Sequence, residues 1–220
     1  KYVILMIFLD IAAPILLLVG ITKSNASTAS LLNNFEIVAT SLIAYLIFKE
    51  NINIRLWYAI ILITISSVIL SINDISSFTL SFGAILILLA CISWGLENNC
   101  TKKLSIKDPL QVVIIKGFGS GIGALIIAFI VQETSSNLIS ILLSLLLGFF
   151  AYGLSIFFYV TSQRYLGASE TSAYYAVSPF IGVILSFILF KEPLTLSFII
   201  ALLIMILGTY LAVNDKPQKS

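Results

Sequence analysis

The sequence predicts an all-α integral membrane protein, a polytopic helical bundle crossing the bilayer eight times. Three observations predict it. Of 220 residues, 60% are hydrophobic and 10% charged, with a mean hydropathy of +1.11, more apolar surface than a water-soluble domain of this size can bury. Apolar runs of about 20 residues, the length a helix needs to span hydrocarbon, recur along the whole chain. The alternating pattern of a barrel strand is absent, so helices must satisfy the backbone within lipid.

The runs are bounded by charges, prolines or Ser/Thr/Asn clusters and are taken in order. The first, 2 to 20, carries Asp10 and Pro14 and stops before Ser24-Asn25-Ala26-Ser27. It is long enough to span, is interrupted by a charge and a proline, and precedes seven further spans, which together argue against a signal peptide. The second, 26 to 48, ends in Phe48-Lys49-Glu50, and the third covers 54 to 73. The fourth, 79 to 101, holds Cys91 and Cys100, nine residues apart on different faces of one predicted helix and too far apart for a disulfide. The fifth, 109 to 131, opens after Asp108 and contains Lys116. The sixth and seventh cover 138 to 162 and 168 to 190, the latter ending in Phe190-Lys191-Glu192. The eighth covers 195 to 213. Connections are short and no soluble domain is inserted.

Basic residues orient the bundle. With the start of the first span cytoplasmic, Lys1, Lys49, Arg55, Lys102, Lys103, Lys107, Arg164, Lys216 and Lys219 fall inside, and Lys23 and Lys191 outside. The expected location is the cell (plasma) membrane, with the C-terminus cytoplasmic. A net charge of +2 with no Lys/Arg block argues against nucleic acid as a partner.

The two Phe-Lys-Glu phrases lie 142 residues apart. The same shift superposes Ala26-Ser27 on Ala168-Ser169, Ser30 on Ser172 and Ala59 on Ala201, and it registers the span boundaries. The second copy follows the first by five spans, an odd number, so the copies cross in opposite directions. Two inverted five-helix repeats are expected, an arrangement common among secondary transporters. Residues 1–77 hold the last three spans of the first repeat, 78–215 the complete second, and 216–220 a cytoplasmic tail. Two further helices are expected upstream of Lys1, ten in all.

Ser93-Trp94-Gly95 in the fourth span, Ala168-Ser169 at the start of the seventh, Pro179-Phe180 within it, and the Lys-Glu pair closing the fourth helix of each repeat are motifs of one family. On them the chain resembles the drug/metabolite transporter superfamily, specifically its EamA-type members, over nearly its whole length. The first repeat departs from the pattern, with Glu36-Ile37 where the second has Ser178-Pro179. The resemblance implies a carrier, often an exporter of amino acids, metabolites or drugs, with both termini cytoplasmic, and it adds Trp94 to the candidate cavity residues.

Ionisable residues inside spans are costly and mark function or pairing. Asp10, Glu36, Glu97 and Lys116 qualify. Glu97 and Lys116 lie about nine and ten residues either side of the turn near Ile106, so they reach similar depths and an ion pair between them, structural or functional, is expected. Asn98 and Asn99 extend the polar surface. In the second span Asn33, Glu36, Thr40 and Ala44 share one helical face, and their repeat mates are Tyr175, Ser178, Gly182 and Ser186. Asp10, Ala13 and Gly20 match Tyr152, Ser155 and Ser162 in the same way. A cavity built twice around a pseudo-twofold axis is expected, with close packing the alternative at the small residues. Glu36, Glu97 and Asp10 are candidates for proton coupling or for holding a cationic group, because desolvation favours a carboxylate that is neutralised.

Lys116-Gly-Phe-Gly-Ser-Gly-Ile-Gly123 lacks the order of a phosphate loop and reads as helix-contact glycines, Gly117 with Gly121 and Gly119 with Gly123. Pro14 and Pro179 are expected to kink or unwind the first and seventh spans. The leading expectation is a secondary carrier of small organic solutes working by alternating access, without cofactor, metal or catalytic residues, as a monomer or homodimer in the lipid bilayer. An integral-membrane lipid-modifying enzyme is the alternative class, disfavoured by the absence of histidine and of a DxxD-type motif. A non-transporting truncated relative is a third.

Overall fold

The computed structural model describes residues 1–74, 79–105, 108–132, 137–192 and 194–213. Lys107, the turn at Ile106, the boundary between 77 and 78 and the tail 216–220 lie outside the described residues. Eight helical segments are long and apolar enough to cross a membrane, and the protein is a multi-pass membrane protein.

Helix α1 spans Tyr2–Ile21, α2 and α3 are Ala26–Leu32 and Phe35–Leu46, and α4 is Ile54–Ser71. Two short strands, β1 (Ile72–Asp74) and β2 (Thr79–Leu80), pair antiparallel in the connection that follows. Then come α5 (Phe82–Ser105), α6 (Pro109–Ile130), α7 (Leu138–Leu147), a π-helical segment (Gly148–Leu154), α8 (Ser155–Leu166), α9 (Ala168–Tyr175), α10 (Ser178–Phe190) and α11 (Leu196–Val213). Asp108 and Asn137 cap α6 and α7 by accepting from the first helical N–H groups, and Pro109 occupies the first turn of α6, where its missing N–H costs nothing.

The second and seventh spans are each interrupted, between α2 and α3 at Asn33-Asn34 and between α9 and α10 at Ala176-Val177. Under the 142-residue shift the two breaks fall within one residue of each other. Pro179 lies in the first turn of α10, as the expected kink requires. In the first span no unwinding is seen: α1 runs continuously through Pro14. Proline forfeits one backbone bond, and packing against α5 and α6 along most of α1 keeps the helix continuous. The second span breaks without proline, at paired asparagines whose side chains compete with the helical ladder; Asn34 Nδ2 donates to Leu31 O at 3.4 Å.

Two close pairings organise the bundle. Helix α4 packs on α11 through Ala59, Ser66, Ala201 and Gly208; Ser66 Oγ donates to Ala201 O at 2.7 Å, and a Cβ on Gly208 would sit 2.9 Å from Ile63. Helix α5 lies between α1 and α3, its Gly83 against the carbonyls of Gly20 and Lys23 and its Gly95 against the backbone of Thr40. The contact glycines expected in α6 divide. Gly119 and Gly123 face Ile7 and Ile11 of α1, whereas Gly117 and Gly121 face open space, because only one stripe of α6 turns toward the bundle. No residue of α7 or of the π-helical segment is buried. Cys91 and Cys100 are buried, free thiols.

Candidate functional site

Two polar clusters lie where the spans meet, adjacent to each other through consecutive residues of α5. Glu97 points to one and Asn98 to the other, since successive residues of a helix project about 100° apart.

The first cluster is an ion triad. Lys116 Nζ of α6 lies 2.9 Å from Glu97 Oε1 and 3.6 Å from Asp10 Oδ1 of α1. Thr101, one turn after Glu97, donates to the same carboxylate, and Ser120 donates to Lys116 O at 2.5 Å. Glu97 is 2% exposed and Lys116 5%. Asp10 was not part of the expected pair; it arrives from a helix far away in sequence and takes the second side of the ammonium. Three spans are thereby tied at one depth, with one positive charge between two negative ones.

The second cluster is built on the break in the second span. Starting α3 afresh at Phe35 places Glu36 in its first turn, where the helix dipole favours an acidic side chain. Glu36 Oε1 accepts from Asn98 Nδ2 at 2.7 Å and lies 3.5 Å from Tyr159 Oη. One turn on, Thr40 Oγ1 accepts from Asn98 at 3.3 Å and from Ser172 Oγ at 3.3 Å. Tyr159 and Ser172 share a bond of 2.8 Å, and Gln163 holds the Asn98 carbonyl at 3.2 Å. Asn99 donates to Thr40 O at 3.0 Å and to Gly95 O at 2.8 Å, clamping α5 to α3. Every direct donor to the Glu36 carboxylate is neutral. Among the described residues no lysine or arginine forms an ion pair with it; Lys116 and Glu97 act on it only from a distance.

Beside this network is a cavity of about 390 Å³ lined by Ser155, Phe158, Tyr159, Ser162, Thr171 and Tyr175, among others. The rings of Tyr159 and Tyr175 meet edge to face at 5.3 Å. Tyr159 is therefore common to the carboxylate and to the cavity.

Of the residues expected from sequence, the structure joins Glu36, Thr40 and Asn98 in the second cluster, and Asp10, Glu97 and Lys116 in the first. Tyr175 lines the cavity and has side-chain contacts with Ser178 and Ser155. Asn33 accepts from the Cys91 thiol through its carbonyl at 3.8 Å and its side-chain oxygen at 3.9 Å. Trp94 is half-buried, and Tyr152 is 57% exposed on the π-helical segment. Gly182 abuts the hydroxyl of Ser30, and Ala44 is buried, the close packing that small residues permit. Tyr159, Ser172 and Gln163 were not singled out. A signal existed for the first: Tyr152, Ser155, Tyr159 and Ser162 recur at three- and four-residue steps, one polar stripe along the sixth span.

Eight apolar spans enclosing buried ionisable groups define a multi-pass membrane protein. The chain belongs to the EamA-like transporter family, which it matches over residues 1–72 and 81–214. It is similar to a protein of Methanothermobacter thermautotrophicus called an uncharacterized transporter, at 30% identity over 209 residues, which cover 91% of this chain and 60% of that protein. The chain thus spans about 60% of the length of that relative.

Proposed function

We propose that the chain works as a secondary carrier moving a small organic solute, an amino acid or amine, by alternating access, with Glu36 as the group that exchanges a proton or receives the cationic end of the solute. The observation that carries this is the Glu36 carboxylate, held by neutral donors at a helix break and linked through Tyr159 to the cavity. A carboxylate so placed is neutralised by a proton or by a bound cation, and whichever binds excludes the other. The charged and titratable groups around it are Glu97, Lys116, Tyr159, Tyr175 and Cys91. Lys116 is already claimed by the two acids of the triad, so it does not neutralise Glu36. A Tyr-lined cavity wall suits an ammonium group, since ring faces attract cations.

The inverted-repeat reading draws support from four matched features. The helix breaks at 33–34 and 176–177 agree to within one residue. Lys49 and Lys191 both take left-handed backbone, at φ 60° and 51°. Ala59 and Ala201 are both wholly buried, and Ser66 and Gly208 both lie in the α4–α11 contact. Export and residence in the plasma membrane are part of this reading on the resemblance to EamA-type carriers alone, and the basic-residue bias supports a cytoplasmic C-terminus.

Flux into proteoliposomes, screened over amino acids, amines and nucleosides with and without a pH gradient, tests the proposal. Glu36→Gln keeps the shape and the Asn98 contact but cannot exchange a proton, and it is expected to lower gradient-driven flux at least about tenfold, the scale of one charge-assisted hydrogen bond. Wild-type, still pH-dependent flux in Glu36→Gln removes this residue from the coupling.

A further inference from the structure

The carboxylates of the two Phe-Lys-Glu phrases are engaged differently at the two membrane faces. At the face where α2 begins, Glu192, just past the end of α10, accepts from Ala26 N at 2.8 Å and from Ser27 N at 3.0 Å, and it also takes the Ser27 hydroxyl. Asn25, the residue in the N-cap position of α2, makes no side-chain capping bond, so Glu192 supplies the cap from the other repeat. This closes the end of α10 onto the start of α2.

The 142-residue shift maps Glu192 onto Glu50, and Ala26-Ser27 onto Ala168-Ser169 at the start of α9. All of these mates lie at the opposite face, where the corresponding contact is not made. The Glu50 carboxylate is held by Lys102 at the end of α5. The carboxylate is nevertheless poised: Glu50 Oε2 is 3.8 Å from where a Cβ on Gly167 would sit, and Gly167, at φ 95°, offers α9 no side-chain cap. The Ser169 hydroxyl, mate of the Ser27 hydroxyl that Glu192 holds, is 8% exposed and has no hydrogen-bond partner. A buried hydroxyl left in this condition is costly. The cavity bounded by Ser162, Leu166 and Thr171 lies on the side of this unmade contact.

We infer that Glu192 and Glu50 are alternating latches, one engaged at each face in turn. In the state seen here Glu192 caps α2 and shuts its face, while Lys102 holds Glu50 away from α9. In the opposite state Glu50 leaves Lys102 for the N–H groups of Ala168 and Ser169 and for the Ser169 hydroxyl, and Glu192 releases α2. The exchange gives up three contacts to Glu192 and the Lys102–Glu50 pair and gains three contacts to Glu50, so the two states differ by one partly exposed ion pair, a small difference on the scale of such pairs. The inference rests on the alternating-access reading.

The test uses the full chain in nanodiscs, with Cys91 and Cys100 replaced by alanine and spin labels at Lys23→Cys with Lys191→Cys for one face, or Lys49→Cys with Arg164→Cys for the other. Glu192→Ala is expected to lengthen the 23–191 distance and shorten the 49–164 distance together, shifting the ratio of states about tenfold. Ser169→Ala disturbs no bond of the observed state and is expected to shift the ratio the other way, toward a short 23–191 distance; a merely structural serine leaves both distances alone. Unchanged distances in both variants, or widening at one face with no answer at the other, overturn the latch. If the wild type carries solute while the distances ignore both variants, the latch fails and the carrier reading stands. If the distances answer each other but no solute is moved, the carrier reading fails instead.

Discussion

Replacing Lys116 with methionine is expected to destabilise the protein by about 3–5 kcal/mol, the cost of breaking a buried ion pair by removing one partner. Lys116 is the positive centre between Glu97, at 2.9 Å, and Asp10, at 3.6 Å. Without it two carboxylates from different spans face each other in a site where Glu97 is 2% exposed. Repulsion between them pushes α1 and α5 apart, and α6 loses the side chain that ties it to both. Glu97→Gln is expected to cost less, because Asp10 still partners the lysine. The double variant Glu97→Gln/Lys116→Met is expected to fall short of the sum of its parts, since only one acid then remains. Thermal unfolding in detergent, run as a double-mutant cycle, measures all three. A Lys116→Met protein as stable as the wild type would show that packing alone holds these helices.

Gly95→Leu is expected to abolish flux while Gly117→Leu leaves it intact, although both glycines sit inside spans. A Cβ on Gly95 would lie 2.7 Å from Thr40 N and 2.8 Å from the carbonyl carbon of Ala39, backbone atoms that cannot swing aside. Helix α3 must then retreat from α5, and the bonds from Asn98 to Glu36 and from Asn99 to Thr40 O stretch beyond use. Overpacking of this kind costs about 1–3 kcal/mol or more. Gly95→Ala already meets the clash and is expected to fall within that range. At Gly117 a Cβ meets nothing within 4 Å, so a side chain there projects away from the bundle. Unfolding midpoints together with solute uptake distinguish the two positions, and equal effects would mean that the α3–α5 contact is not limiting.

Much of the fold was legible because a bilayer leaves a chain few choices. A run of about 20 apolar residues must become a helix in hydrocarbon, and all eight expected spans appear within a few residues of their bounds. The Glu97–Lys116 pair was legible for a related reason: across a short turn, residues equally far from it meet, and an unpaired charge at that depth is too costly. Asp10 was recognised as unusual but could not be assigned a partner, because nothing local relates α1 to α6. Pro14 weakens α1 without breaking it, since neighbours decide whether a proline unwinds a helix. Asn33-Asn34 broke a span with no proline to announce it.

The paired Lys-Glu phrases divide along the same line. As sequence they are helix-end anchors with snorkelling lysines, and their repetition marks the 142-residue shift. Only the folded chain shows that Glu192 reaches the first turn of α2, and that Glu50 is turned instead to Lys102. The sequence by itself determined the membrane class, the eight spans and the short roster of polar groups, because hydropathy and span length act through the solvent and need no partner. The tertiary structure decided which of those groups meet, that Tyr159 and Ser172 complete the Glu36 network, and which of the two Phe-Lys-Glu carboxylates caps a helix. Those outcomes depend on contacts between residues up to about 166 apart, as in the Ala26–Glu192 bond, which no local pattern encodes.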